Sequence, residues 1–231
     1  MPRILALDTS SEACSAALLT ADGLAEDFRL SPREHTRLIL PMVDDLLRTA
    51  GLRLADLDAI AFAQGPGSFT GLRIVAGVVQ GLAWGAQLPV VGVSTLAALA
   101  LAAAQQQECD WVLPLLDARM DEVYAGLYRI EAGLPVLQGS ERVCGAERLI
   151  DLVPPGESSV AVVGSGLTYE ARFPSQLQQR IGHRDASLQP RAAQVAVLAE
   201  PLLRAGRVLS ADAVQPVYLR DEVAWNKLPG R

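Results

Sequence analysis

Histidine occurs only twice in this chain of 231 residues, at His35 and His183, and cysteine three times, at Cys14, Cys109 and Cys144. Two distant histidines and no HExxH motif exclude a zinc protease. Three scattered cysteines without a CxxC pair read as a reducing compartment and no zinc site. Positive charge is also short, with 20 Lys and Arg against 26 Asp and Glu, a net charge of −6. Such a surface does not attract RNA or an anionic membrane as a whole, so any role on RNA is shared with a partner. No charged residue at all stands between Ile74 and Ala104. That window carries Gly77, Gly81 and Gly85 at four-residue spacing, but Gln80, Gln87 and Pro89 interrupt it and Val90–Val93 reads as a buried strand. No membrane span is therefore expected, and the glycines let two elements touch closely. The apolar run before Asp8 is too short for a signal peptide, which makes the cytoplasm the expected location.

What is present is a large apolar fraction, 50%, enough for an α/β protein with a proper core. Its most distinctive stretch is Gly65-Pro66-Gly67-Ser68-Phe69-Thr70-Gly71-Leu72-Arg73, which follows the apolar run Asp58–Ala63 and precedes an unbroken apolar segment. That order reads strand, tight turn, helix, with Ser68 or Thr70 as the helix cap. Two uses are open: free N–H groups at the helix start cradling a phosphate, or a structural crossover. No Gly-Lys-Ser/Thr ends the turn, so it is not a Walker loop.

Read in order, the chain opens with three strands, Ile4–Leu7, Cys14–Thr20 and Leu24–Leu30. Ser31-Pro32-Arg33-Glu34 has the form of a capping box before a helix that Gly51 stops. A strand over Leu57–Ala63, a helix over Thr70–Gly85, a strand over Val90–Val93 and a helix capped by Ser94 follow. The polar break Gln105–Glu108 divides residues 1–105 from 106–231, beyond which the same β-β-β-α-β-α plan begins again. Its members are strands over Trp111–Leu116, Glu122–Ile130, Pro135–Gly139 and Ser159–Val163, helices over Ala146–Val153 and Arg191–Ala205, and Asp117-Ala118-Arg119 echoing Asp8-Thr9-Ser10. The extended tail Pro216–Arg220 is expected on the second half.

Two such halves with an aspartate after the first strand resemble the actin-like ATPase (ASKHA, ribonuclease H-like) plan, here an α/β fold with the second subdomain reduced. Within it the chain resembles the bacterial TsaB (YeaZ) family. The resemblance rests on Ile4–Ser10, His35 and the helix to Leu47, the glycine turn, Gly92–Leu96, Pro114–Arg119 and Pro216–Arg220.

It implies a non-catalytic scaffold subunit for threonylcarbamoyl transfer to A37 of tRNAs that read ANN codons. The implied partners are a TsaD-like catalytic subunit, a TsaE-like ATPase and, through the complex, tRNA, with self-association through the same face. The catalytic relatives carry a His-x-x-x-His metal motif where this chain has Thr95 and Leu99, and neither side chain replaces an imidazole ligand. No catalytic or metal residue is expected. A nucleotide of the superfamily would meet Asp8, Thr9, Ser10, Gly65 and Gly67, and ATP is expected only at an interface shared with partners. The competing reading is a small ATPase or carbamoyltransferase subunit using those residues.

Both long helices of the first half are more apolar than one sheet face needs, which predicts a partner-binding surface. The candidates are His35, Leu38, Ile39, Met42, Leu46, Arg73, Val75, Val78, Val79 and Leu82. Arg73 opens a helix whose dipole opposes it, which calls for an acidic or carbonyl partner.

Overall fold

The computed structural model describes residues 1–156 and 158–220, and the last eleven residues of the expected second subdomain lie outside the described residues. The first sheet comprises β1 (Ile4–Asp8), β2 (Ala13–Thr20), β3 (Gly23–Leu30), β4 (Ala59–Gly65) and β5 (Val90–Ser94), in the order β3-β2-β1-β4-β5. The second comprises β6 (Trp111–Arg119), β7 (Glu122–Glu131), β8 (Leu134–Gly145), β9 (Val160–Val163) and β10 (Ile181–Asp185), in the order β10-β9-β6-β7-β8. The α-helices are α1 (His35–Ala50), α2 (Phe69–Ala86), α3 (Thr95–Gln106), the single turn α4 (Ser175–Gln178) and α5 (Ala192–Arg204), and the helix expected over Ala146–Val153 is a 3-10 helix, Ala146–Leu152. Two mixed sheets with flanking helices make the actin-like, two-subdomain α/β fold.

Strand β1 lies at the centre of its sheet, antiparallel to β2 and parallel to β4. Both of its faces are covered, so its sequence is a continuous apolar run rather than an alternation. Leu5 and Leu7 pack with Ile39 and Met42 of α1 and with Val75 and Val79 of α2. Ile4 and Ala6 pack on the other face with Ala192, Val195 and Ala199 of α5. Helix α3 is apolar all round because it fills the space between the sheets: Ala98 joins the first core, while Leu96, Leu99 and Ala103 meet Val112, Tyr128 and Val163 of the second.

Local signals set several boundaries. Ser68 Oγ accepts the Gly71 N–H (3.3 Å) and Ser94 Oγ accepts the Ala97 N–H (3.2 Å), each capping its helix. Gly51 ends α1 at φ 65°. The expected capping box before α1 does not form. Arg33 takes φ 68°, Glu34 N–H closes a turn on the Ser31 carbonyl (3.3 Å), and no side chain caps the helix. The His35 ring anchors its first turn instead.

The division at residue 105 separates the sheets but not the covering layers. Helix α5 packs on β1, β2, β4 and β5 of the first sheet, Leu209 bridges to Val90, and Val214 sits in the first core. Residues expected in the second block therefore return to the first, because the rear face of that sheet is apolar and nothing in residues 1–105 except α3 is left to cover it.

Candidate functional site

In each half an aspartate at a strand end faces a glycine turn. Asp8 Oδ1 accepts the Ser10 N–H (2.7 Å), and Asp117 Oδ1 accepts the Arg119 N–H (2.8 Å), the same two-residue step. Thr9 Oγ1 donates to the Gly71 carbonyl (2.7 Å), and the Ser68 N–H donates to the Ser10 carbonyl (2.7 Å). A Cβ at Gly71 would collide with the Thr9 carbonyl, one at Gly67 with the Ser10 carbonyl, and one at Gly65 with the Val217 carbonyl. These glycines let three stretches of backbone touch. Gly164 and Gly166 do the same against Leu115 in the second half.

The two turns are in van der Waals contact, and the Ser68 N–H that opens α2 is already bonded. A phosphate lodged between these two turns would have to part them. Asp8 is fully buried, and burial pushes its carboxyl above the ordinary value against the pull of the Ser10 N–H. Its Oδ2 has no partner among the described residues.

The predicted partner surface divides into two sets. Ile39, Met42, Val75 and Val79 are wholly buried and belong to the core, which corrects their assignment to an interface. They are the inward positions of amphipathic helices, a distinction that near-uniform apolarity hides in α2. His35 is also inward, with Nε2 at 3.0 Å from the Ser11 carbonyl and 3.2 Å from that of Ala13, a structural role. Leu38, Leu46, Val78 and Leu82 pack on that core but stay partly open.

The outward side of α2 shows a feature that burial does not explain. Its 18 residues have a mean hydropathy of 1.2 and only 33% of them are buried. Gly77, Gly81 and Gly85 are exposed, and a Cβ there would meet nothing within 4 Å. Trp84, 72% exposed, stands beside them, and Leu40 of α1 is also exposed. By length and composition α2 would cross a membrane, but Leu72, Val75, Ala76, Val79 and Ala83 are the cover of the first sheet.

The tail runs over the first half, not the second as expected. The Val217 N–H donates to the Gln64 carbonyl (2.7 Å), and Tyr218 packs on Phe69 with ring centroids 5.6 Å apart. Arg73 stacks on Phe69 at 3.8 Å and donates Nε–H to the Tyr218 hydroxyl (3.2 Å), so its partner within the chain is aromatic, not acidic. Arg220 reaches the second half, where it pairs with Glu122 (2.6 Å). Phe69, Trp84, Tyr218 and Leu40 escaped sequence reasoning. Trp84 alone left a signal, a lone large aromatic in a stripe of glycines.

Where the catalytic relatives were expected to carry two histidines, Thr95 and Leu99 are both buried, Leu99 within the core between the sheets. Among the described residues no three His, Cys, Asp or Glu converge as metal ligands. Fold and turns thus define an actin-like protein whose strand-end turns are closed by its own backbone. The family described as TsaD, tRNA N6-adenosine threonylcarbamoyltransferase, matches residues 29–228. The chain is 42% identical to the tRNA threonylcarbamoyladenosine biosynthesis protein TsaB of Escherichia coli, over 99% of both chains. To the protein of the same name from Haemophilus influenzae it is 40% identical, over 99% of this chain and 98% of that one. The solved structure of YeaZ from Pseudomonas aeruginosa superposes with a TM-score of 0.89 at 46% identity, over 95% of this chain and all of that one. The chain belongs to the TsaB (YeaZ) family.

Proposed function

We propose that this chain is a non-catalytic scaffold subunit in tRNA threonylcarbamoyladenosine formation, required for threonylcarbamoyl transfer to A37 of tRNAs that read ANN codons. It pairs through the outward faces of α1 and α2 with a TsaD-like catalytic subunit, a TsaE-like ATPase joins the pair, and tRNA is met through the assembly. The same face also permits self-association. The chain carries no chemistry of its own, and ATP enters only at a surface shared with partners. Its free cysteines accord with the cytoplasm.

The observation that carries this proposal is the open side of α2. A stripe of exposed glycines four residues apart, with Trp84 and the partly open Val78 and Leu82 beside it, lets another helix approach backbone to backbone and then bury apolar surface. The strand-end turns support the same assignment, since their contacts leave no ready phosphate cradle. Gly81→Leu is the direct test. Its side chain enters open space in the monomer and replaces a weak helix former, so melting should hold or rise, while size exclusion of the mixed proteins should show the complex with the TsaD-like subunit lost. An undiminished complex would refute the assigned face.

A further inference from the structure

Arg73 is the only charged residue in α2, and it sits near the helix N-terminus, where the dipole disfavours a cation. Nothing in helix stability asks for it there. Yet the guanidinium is held from two sides: its face lies 3.8 Å from the centre of the Phe69 ring, and Nε–H is bonded to the Tyr218 hydroxyl. Phe69 is 54% exposed and Tyr218 42%. Among the described residues no carboxylate lies within ion-pair distance of Arg73, whereas Arg119 pairs with Asp117 and Arg220 with Glu122. Stacking and the Nε bond fix the plane of the guanidinium and leave the Nη edge without an acceptor among the described residues. A carboxylate is the planar, bidentate match for such an edge.

We propose that Phe69, Arg73 and Tyr218 form a preformed receptor for a single side-chain carboxylate on the partner subunit. This rests on the assignment of the outward face of α2 to that subunit, with which the receptor is continuous, since Arg73, Gly77, Gly81 and Gly85 follow one another at four-residue steps on one stripe. A carboxylate arriving there meets both the guanidinium and the positive end of the helix. A protein fits the surroundings better than a nucleic acid does. Phosphate backbones are held by several cations at once, but Arg119 and Arg220 are already matched with acids and the chain is net negative. Aromatic rings around one arginine are the composition of a protein–protein hot spot.

The rings also prepay much of the ordering of a long side chain, so little rotamer freedom is left to lose on binding. Tyr218 makes the tail part of the receptor. The Val217 carbonyl that lies against Gly65 sets the tail's path across the start of α2.

The test is calorimetry of the full chain against the TsaD-like subunit of the same genome, at low and high KCl, for the unmodified chain and for Arg73→Ala, Arg73→Lys, Tyr218→Phe and Gly81→Leu. Arg73→Ala should weaken binding at least about tenfold. It should also flatten the salt dependence and leave melting unchanged. Arg73→Lys should fail to restore binding, because an ammonium neither stacks nor forks, and Tyr218→Phe should give an intermediate loss. Equal affinity of Arg73→Ala and the unmodified chain would overturn the receptor. If Gly81→Leu then still abolished the complex, the subunit face would stand without it, whereas no complex from the unmodified chain would overturn both. A further arm measures filter retention of a tRNA transcript by the isolated chain. Retention lost in Arg73→Ala with subunit pairing intact would assign the site to phosphate and overturn the carboxylate.

Discussion

Glu26 on β3 and Arg191 at the start of α5, 165 residues apart, are joined by two hydrogen bonds, from Arg191 Nε at 2.9 Å and Nη2 at 2.6 Å to one carboxylate oxygen. The other oxygen accepts the Ala193 N–H (3.0 Å), and the guanidinium stacks 4.2 Å from the Phe28 ring. Ser15 Oγ accepts the neighbouring Ala192 N–H (2.9 Å). The first turn of α5 is thus capped by the first sheet rather than by its own sequence, and the helix that completes the rear core is fastened at its end. Glu26→Ala should leave the Ala193 N–H and the Arg191 guanidinium without this acceptor and cost about 1–3 kcal/mol. Urea titration would show it as a lower midpoint, and an unchanged midpoint would mean that α5 is held by its apolar face alone.

A second cross-link joins the sheets through a single carboxylate. Glu141 on β8 accepts hydrogen bonds from both Ser94 Oγ, at the end of β5, and the Tyr128 hydroxyl on β7. Burial holds the Tyr128 phenol protonated far above neutral pH, and Glu141 reinforces this. Tyr128→Phe keeps the packing and deletes the donor, so it should cost about 1–2 kcal/mol. Thermal melts of that variant and of Glu141→Gln measure it, and losses that add fully in the double variant would show that the two groups do not act together.

Asp8 gives the pH dependence. Burial raises its folded-state pKa above the ordinary value, so across that window the folded protein holds a proton that the unfolded chain has released. Stability therefore falls as pH rises through the window and stays lower above it. Asp8→Asn removes the buried charge and should melt higher than the unmodified chain at pH 7.5, with the gap narrowing toward pH 4. A lower melting temperature at pH 7.5 would instead assign the carboxylate a stabilising partner.

The strands and caps were legible because their signals are local. A continuous apolar β1 announced a doubly covered strand, and Ser68, Ser94 and Gly51 act where their neighbours in sequence predict. The return of α5 and of the tail to the first sheet was not legible. It depends on pairs such as Glu26 with Arg191 and Arg73 with Tyr218, which no window of the sequence holds together. The inward half of the predicted surface was misjudged for a related reason. In α2 nearly every position is apolar or small, so periodicity could not separate Val75 and Val79 from the open Gly77 and Gly81. The glycine turn showed its shape but not its use, because Val217, which fills the space beside Gly65, lies about 150 residues away in the chain.

The glycines themselves offer the sharpest contrast. At Gly71 a methyl group would strike the Thr9 carbonyl, so Gly71→Ala must displace one of two packed turns and should cost well over 1 kcal/mol. At Gly77 and Gly81 the same methyl enters solvent on a helix surface, where alanine in place of glycine should stabilise the monomer by about 0.5–1 kcal/mol each. A chain that keeps the less stable residue at open positions is tolerating a loss in the isolated subunit. If the glycines are there for close approach of another helix, Gly77→Ala with Gly81→Ala should raise the melting temperature of the isolated chain and weaken its complex with the TsaD-like subunit. Stability and affinity then move in opposite directions. A double variant that gains stability and binds as before would show that the partner does not pack on this stripe.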